Sequence, residues 1–245
     1  MGRLTNMTAE LPASKMQVAG TMEMIRRTVD ALAGASELPV SHVRVPAGGA
    51  KAFELPGETP DTPEYATSFT GVILSARFVN AYWDHPFGEA GASKTPVCSS
   101  TDGLSGYDLD GVEHACRACP WNRMGSRDGG RGKACRNMVQ LLIMVEGEPL
   151  PVELKVPPMS VGNYAQYVAR VLSPRGLEPW QVATEFTLMR ATNGTGIEYS
   201  QIMFKCAGRV KDEEIAPLMG AMAPMLSDTM AEALTEGQET EGGEA

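Results

Sequence analysis

No stretch of this 245-residue chain approaches the ~20 consecutive apolar residues that a membrane-spanning helix needs. No membrane partner is therefore expected. The opening MGRLTNMTAELPASKMQ lacks a basic segment followed by an apolar run, so no secretory signal is expected and the compartment is read as reducing. Histidine is scarce: His42, His85 and His114 are scattered, and neither His-Glu-x-x-His nor His-x-Glu occurs. That absence removes the common catalytic zinc motifs. A nucleophile elbow and a paired-carboxylate motif are missing too, and GGRGK lacks the full phosphate-loop spacing. The expectation is a protein that is not an enzyme. Lysine and arginine are absent after Lys211, whereas Asp212, Glu213, Glu214, Asp228, Glu232, Glu236, Glu239, Glu241 and Glu244 follow it. Removing these nine from the 30 acidic residues leaves 21, against 21 Lys and Arg. The body is neutral, and the formal net charge of -9 belongs to the C-terminal portion. No internal repeat is found.

Residues 1–66 read as a helix and a linker. Val18, Met22, Ile25, Val29 and Leu32 recur at helical spacing, and the proline- and glycine-rich PAGGAKAFELPGETPDTPEY follows. TSFTGVILSARFVNAYW, residues 67–83, is rich in β-branched and aromatic types and predicts a long strand with room for a bend at Gly71 or Ser75. After a Gly-, Asp- and Ser-rich region, NMVQLLIMVEGEPLPVELKVP predicts two strands joined at Glu146-Gly147-Glu148-Pro149. PPMSVGNYAQYVARVLSPRG predicts a helix capped by Ser160, with Tyr164, Tyr167, Val168 and Val171 on one face. WQVATEFTLMRAT and IEYSQIMFKCAGRV predict a final hairpin through Asn-Gly-Thr-Gly. The remainder, 211–245, predicts a Met-rich helix and a disordered acidic tail. Strand, insertion, two strands, helix and two strands is the ordering of an OB-fold. The expected class is mostly β (α+β): a five-stranded OB-like barrel over 67–210 with one internal helix and an insertion at about 95–137. Other α+β sheets share that ordering.

In a reducing compartment the five cysteines need a use other than disulfides. Cys98, Cys116, Cys119 and Cys135 fall within 38 residues, and the middle pair has the two-residue gap that lets both thiolates reach one tetrahedral ion. A structural zinc ion (Zn2+) in a ribbon-like loop is the expectation, because four thiolates leave no position for a reacting water. A redox Cys-x-x-Cys, or His114 in place of Cys98, are the alternatives. Cys206, in an apolar strand, reads as a buried small residue.

The segment CRACPWNRMGSRDGGRGKACRN carries Arg117, Arg123, Arg127, Arg131, Lys133 and Arg136 against Asp128 alone. Cations on a metal-held loop suit phosphates. Trp121 is placed to stack on a base or, in the blander reading, to pack beneath the loop, just as the arginines are either contacts or merely solvated. Arg77, Tyr82 and Trp83 at the end of the first strand, and Lys155, Arg190, Tyr199 and Lys205 on later strands, complete the candidate nucleic-acid contacts; Phe186, Tyr199 and Phe204 read as core or platform.

Taken together, SFTGVILSARFVNAYW, PVCSSTDGLSG, CRACPWNRMGS, GKACRNM, PLPVELKVPPMSVGNYAQYV and GIEYSQIMF resemble phage-type single-stranded DNA-binding proteins of OB-fold type with a zinc insertion. The likeness spans about 67–210. It implies sequence-independent binding of single-stranded DNA in phage or mobile-element replication and recombination, inside the cytoplasm of a bacterial host. The acidic tail would then serve replication or recombination partners, and a homo-oligomer is compatible with this. A zinc-containing transcription or duplex-binding factor and a protein-interaction module remain as alternatives.

Overall fold

The computed structural model describes residue 27 and residues 40–57, 59, 62–85, 95–127, 129–130, 132–146, 148 and 150–211. Along the chain the strands are β1 (Ser41–Val43), β2 (Phe53–Leu55), β3 (Glu64–Ala66), β4 (Ser68–Tyr82), β5 (Cys98–Ser100), β6 (Ser105–Asp108), β7 (Glu113–Ala115), β8 (Arg136–Val145), β9 (Val152–Val156), β10 (Val182–Thr192) and β11 (Glu198–Arg209). One helix, α1 (Pro158–Tyr167), lies between β9 and β10. Apart from the helical Arg27, the expected N-terminal helix lies outside the described residues, as does the acidic tail. The chain divides into two compact units, with boundaries after Ala76 and after Gln140. β4 and β8 each contribute residues to both.

In the first unit the order is β1-β9-β8-β4, with β10 joining the other side of β4 and β11 pairing with β10. β4 and β10 run antiparallel from Val72↔Ala183 to Ser68↔Thr187. β10 and β11 form a long hairpin with a bulge at Ala183/Thr184. Asn193 closes its turn by accepting the Thr195 and Ile197 N–H groups, each at 2.9 Å, and Gly196 takes φ 82°. The expectation of a mostly β chain with one internal helix therefore holds. The described sheet is open: β9 pairs on its far side with the parallel β1, and among the described residues β11 pairs only with β10. Gly71 is needed for close approach, since a Cβ there would lie 2.8 Å from the Met144 carbonyl oxygen.

A train of rings fills this unit. Phe53 meets Phe69 edge-on at 5.0 Å, Phe69 stacks on Phe186 at 4.6 Å, and Phe186 meets Phe204 at 5.6 Å. Tyr164 and Tyr167 of α1 close on Phe204, and Cys206 packs against the neighbouring cluster of Tyr167, Leu172 and Val182. Phe186 is thus a core residue, Phe204 is half-buried and packs against the core, and Tyr199 is half-buried. Burial pushes the Tyr164 hydroxyl up to about 12, with Glu178 adding to the effect.

Two sequence expectations change here. Ser160 is not the helix cap. Pro157 precedes α1 in an extended conformation, and Pro158 opens the helix with no N–H to satisfy. Ser160 Oγ instead accepts the Ile202 N–H of β11 at 3.0 Å. The segment PAGGAKAFELPGETPDTPEY, expected as linker, is folded in its described residues: β2 and β3 pair, and Phe53 is fully buried. Three-residue strands are too short to show a periodicity, and the prolines and glycines around them read as loop. Phe53→Ala is expected to cost about 3–5 kcal/mol, read as a lowered urea midpoint at unchanged slope; a change near zero would return the stretch to linker.

In the second unit the order is β8-β4-β5-β6-β7, with the 116–135 loop entering between β7 and β8. Two aspartates shape its turns. Asp102 Oδ1 accepts the Leu104 and Ser105 N–H groups at 2.7 and 2.9 Å, and Asp108 Oδ1 accepts that of Val112 at 2.9 Å.

Candidate metal centre and nucleic-acid interface

Each of the four cysteines is delivered by a different local device. Cys98 opens β5 opposite Tyr82 on one side and Asp108 on the other. Cys116 follows β7 and is tied by its N–H to the Leu104 carbonyl at 2.8 Å. The chain then turns tightly, the Ala118 and Cys119 N–H groups both reaching the Ala115 carbonyl at 3.0 and 3.1 Å. This turn is what a two-residue gap predicts. Cys135 precedes β8, and its N–H meets the Trp121 carbonyl at 2.9 Å.

Glycine at position 106 makes room for the sulfurs. A Cβ there would lie 3.0 Å from Cys98 Sγ and 3.5 Å from Cys116 Sγ. Cys116 and Cys135 are buried, and Cys98 and Cys119 half-buried. Burial pushes the Cys135 thiol up to about 12, and the charges of Cys116, Cys119 and Cys98 push the same way while Lys133 opposes them. Cys98 is raised by its own burial and then by Cys116, Cys119 and Asp108. Cys98 and Cys135 thus each feel the charge of the other cysteines. At these side-chain positions, however, no three His, Cys, Asp or Glu groups among the described residues close into a ready-made ligand set. The donor chemistry fits a thiophilic divalent ion: four soft sulfurs, a space at Gly106 that a side chain would fill, and mutual repulsion that a cation would reverse. His114 is engaged elsewhere, its Nε2 lying 2.8 Å from Asp108 Oδ2. That contact, followed by the Val112 N–H, holds the Asp108 carboxyl below the usual range.

Trp121 stacks nearly parallel on Tyr82, with ring centres 5.0 Å apart and planes 7° from parallel, and stays 46% exposed. Neither sequence reading of Trp121 foresaw this arrangement, in which one face is supported and much of the ring is open. The Arg136 guanidinium sits over Trp83, 5.0 Å from the ring centre. Arg117, Arg123 and Arg127 are exposed, and among the described residues no ion pair joins them to an acidic side chain; Arg123 Nη2 reaches only the Ala118 carbonyl, at 3.4 Å. Arg77 is half-buried on β4, and Arg131 lies outside the described residues.

Lys133 does not point outward with the arginines. Its ammonium donates to Asn122 Oδ1 at 3.0 Å and to Asn137 Oδ1 at 2.7 Å. Asn122 Nδ2 donates to the Cys116 carbonyl at 2.9 Å, Asn137 Nδ2 to Asn80 Oδ1, and Asn80 Nδ2 to the Gly103 carbonyl at 3.2 Å. Sequence reasoning passed over these three asparagines. For Asn122 and Asn137 the one signal was placement near a cysteine, in CPWN and ACRN; Asn80, on β4, had none.

The remaining candidates belong to the first unit and are engaged within it. Lys155 lies 3.5 Å from the buried Glu153, which also meets His42 at 3.4 Å. Arg190 donates to the Gly49 carbonyl at 3.1 Å and lies 3.5 Å from Glu198; Lys205 pairs with Glu185 at 2.9 Å. Comparison of the chain with protein-family models, with curated proteins and with solved structures finds no match in any of the three.

Proposed function

We propose that this protein coats single-stranded DNA without reading its sequence, in the replication or recombination of a phage or mobile element, and that it performs no catalysis. The observation that carries the reading is the second unit's surface. Arg117, Arg123 and Arg127 stand exposed and without acidic partners among the described residues, beside a half-exposed Trp121 backed by Tyr82. Exposed guanidinium groups neutralise phosphates, and a ring held from behind stacks on any base. In support, the strand succession β9-β8-β4-β10-β11 with α1 after β9 is compatible with an OB-type sheet.

Cys98, Cys116, Cys119 and Cys135 would hold one zinc ion. Bound there, the ion supplies rigidity and not a reacting water, since four thiolates complete its coordination. The chain's own residues do the rest: the arginines draw the backbone in, and the rings receive bases. Lys155, Arg190 and Lys205, already paired, become secondary contacts in this scheme. No helix among the described residues is long and apolar enough to cross a membrane.

A second reading, a protein-interaction module, is favoured by one observation. Leu104, Leu109, Val112 and Met124 of the same unit are all more than half exposed. A duplex reader has less support, because α1 carries no lysine or arginine.

The test is fluorescence anisotropy of labelled oligo-dT and of a matched duplex, titrated with protein at several salt concentrations. Tight single-strand binding that weakens steeply with salt, with far weaker duplex binding, is the expected result. Equal or stronger duplex binding would favour the duplex reader. Indifference to both would leave the interaction module.

A further inference from the structure

We infer that Lys133 is a positioning residue for the cysteine cluster, an internal counter-charge, and not one of the phosphate contacts around it. The inference rests on the zinc reading above. Two observations carry it. The ammonium is held from two sides by Asn122 Oδ1 and Asn137 Oδ1, and Lys133 is half-buried where Arg117, Arg123, Arg127 and Arg136 are exposed. One holder, Asn122, donates to the carbonyl of Cys116 itself; the other, Asn137, runs through Asn80 to the Gly103 turn.

Four thiolates around one divalent ion leave an excess of negative charge in a partly buried place, which is costly without a cation nearby. A lysine whose hydrogen bonds are fixed by amides provides that cation at a fixed place. The amides themselves are neutral, so they hold the charge without cancelling it.

The experiment compares Lys133→Met, Lys133→Arg and Arg123→Met in the full chain, with zinc affinity measured by competition against a chromogenic chelator. Cobalt(II) thiolate absorption reports the coordination geometry, and the salt slope of oligo-dT binding reports phosphate contacts. Lys133→Met is expected to weaken zinc binding about 10- to 100-fold, as loss of an outer partner of a metal ligand does, and to leave the salt slope unchanged. Arg123→Met is expected to do the reverse, lowering the slope by about 0.7 at unchanged zinc affinity. Lys133→Arg, which keeps the charge, is expected to bind zinc close to wild type. A reduced slope with normal zinc affinity in Lys133→Met would make Lys133 a phosphate contact and overturn the inference. If Lys133→Met does not fold even with zinc, the pair still decides: normal zinc binding by Lys133→Arg supports the counter-charge, and loss in both variants overturns it. A wild-type chain that takes up no zinc overturns the metal reading and this inference together. Normal zinc uptake with an indifferent Lys133→Met sinks this inference alone.

Discussion

Replacing Cys116 or Cys135 by serine is expected to strip one zinc ion from each chain and unfold the 95–137 region. The magnitude follows from how little else holds that region. Its strands β5, β6 and β7 are three or four residues long, the 3₁₀ turn Pro120–Asn122 has no buried residue, and exposed Leu104, Leu109 and Val112 contribute no core. A structural zinc site contributes roughly 10–16 kcal/mol of apparent binding free energy at neutral pH, and where the site exists only in the folded state this is folding free energy. Elemental analysis should find one zinc per chain in the wild type and none in the serine variants. Hydrogen exchange should show amides such as those of Cys116, Cys119 and Cys135 losing protection together. Cys206→Ser, whose sulfur packs near Tyr167 and Val182 in the other unit, should keep the metal. If Cys116→Ser retains both zinc and protection, the four-cysteine assignment is wrong.

The second large effect is on binding. Charge removal in the triple variant Arg117→Gln, Arg123→Gln, Arg127→Gln is expected to lower oligo-dT affinity by roughly one to two orders of magnitude at physiological salt, and the log–log salt slope by about 2, at about 0.7 per phosphate released. None of the three guanidinium groups supports the cysteine turns through an ion pair among the described residues, so zinc content should not change. Trp121→Ala separates stacking from charge. It should cost ~1–3 kcal/mol of affinity with the slope intact. The Trp121 carbonyl that receives the Cys135 N–H survives the substitution, so the cysteine loop keeps that tie. Wild-type affinity in the triple variant would make the arginines solvated bystanders. A changed slope in Trp121→Ala would mean that the ring acts through the loop's charges.

How much of this could be read from residues alone varies element by element. β4, β8, β10 and β11 stood out because ten to fifteen residues of β-branched, aromatic and alternating character leave few competing readings. β2 and β3 did not, since their assignment depends on Phe53 reaching Phe69, a contact no local window contains. Ser160 lies in the first turn of α1, where a local rule makes it a cap, yet its hydroxyl serves β11. Capping is a local rule, and β11, more than 40 residues away, outbid it. The six cations of the loop looked equivalent as letters. Three-dimensional neighbours divided the five that are described: Asn122 and Asn137 took Lys133 inward, Trp83 received Arg136, and Arg117, Arg123 and Arg127 stayed exposed.

Sequence alone determined the long strands with the helix between them, the grouping of four cysteines, and the placing of cations and Trp121 among and beside them. These follow from short-range periodicity and spacing, which a linear chain displays directly. Only the tertiary structure decided that the described sheet is open, that Phe186 is buried in a train of contacting rings with Phe204 packed against it, that Trp121 rests on Tyr82, and that Lys133 turns inward. Each of those depends on which residues distant in sequence come within a few ångströms, and burial and hydrogen bonding select among such partners only after the chain has folded.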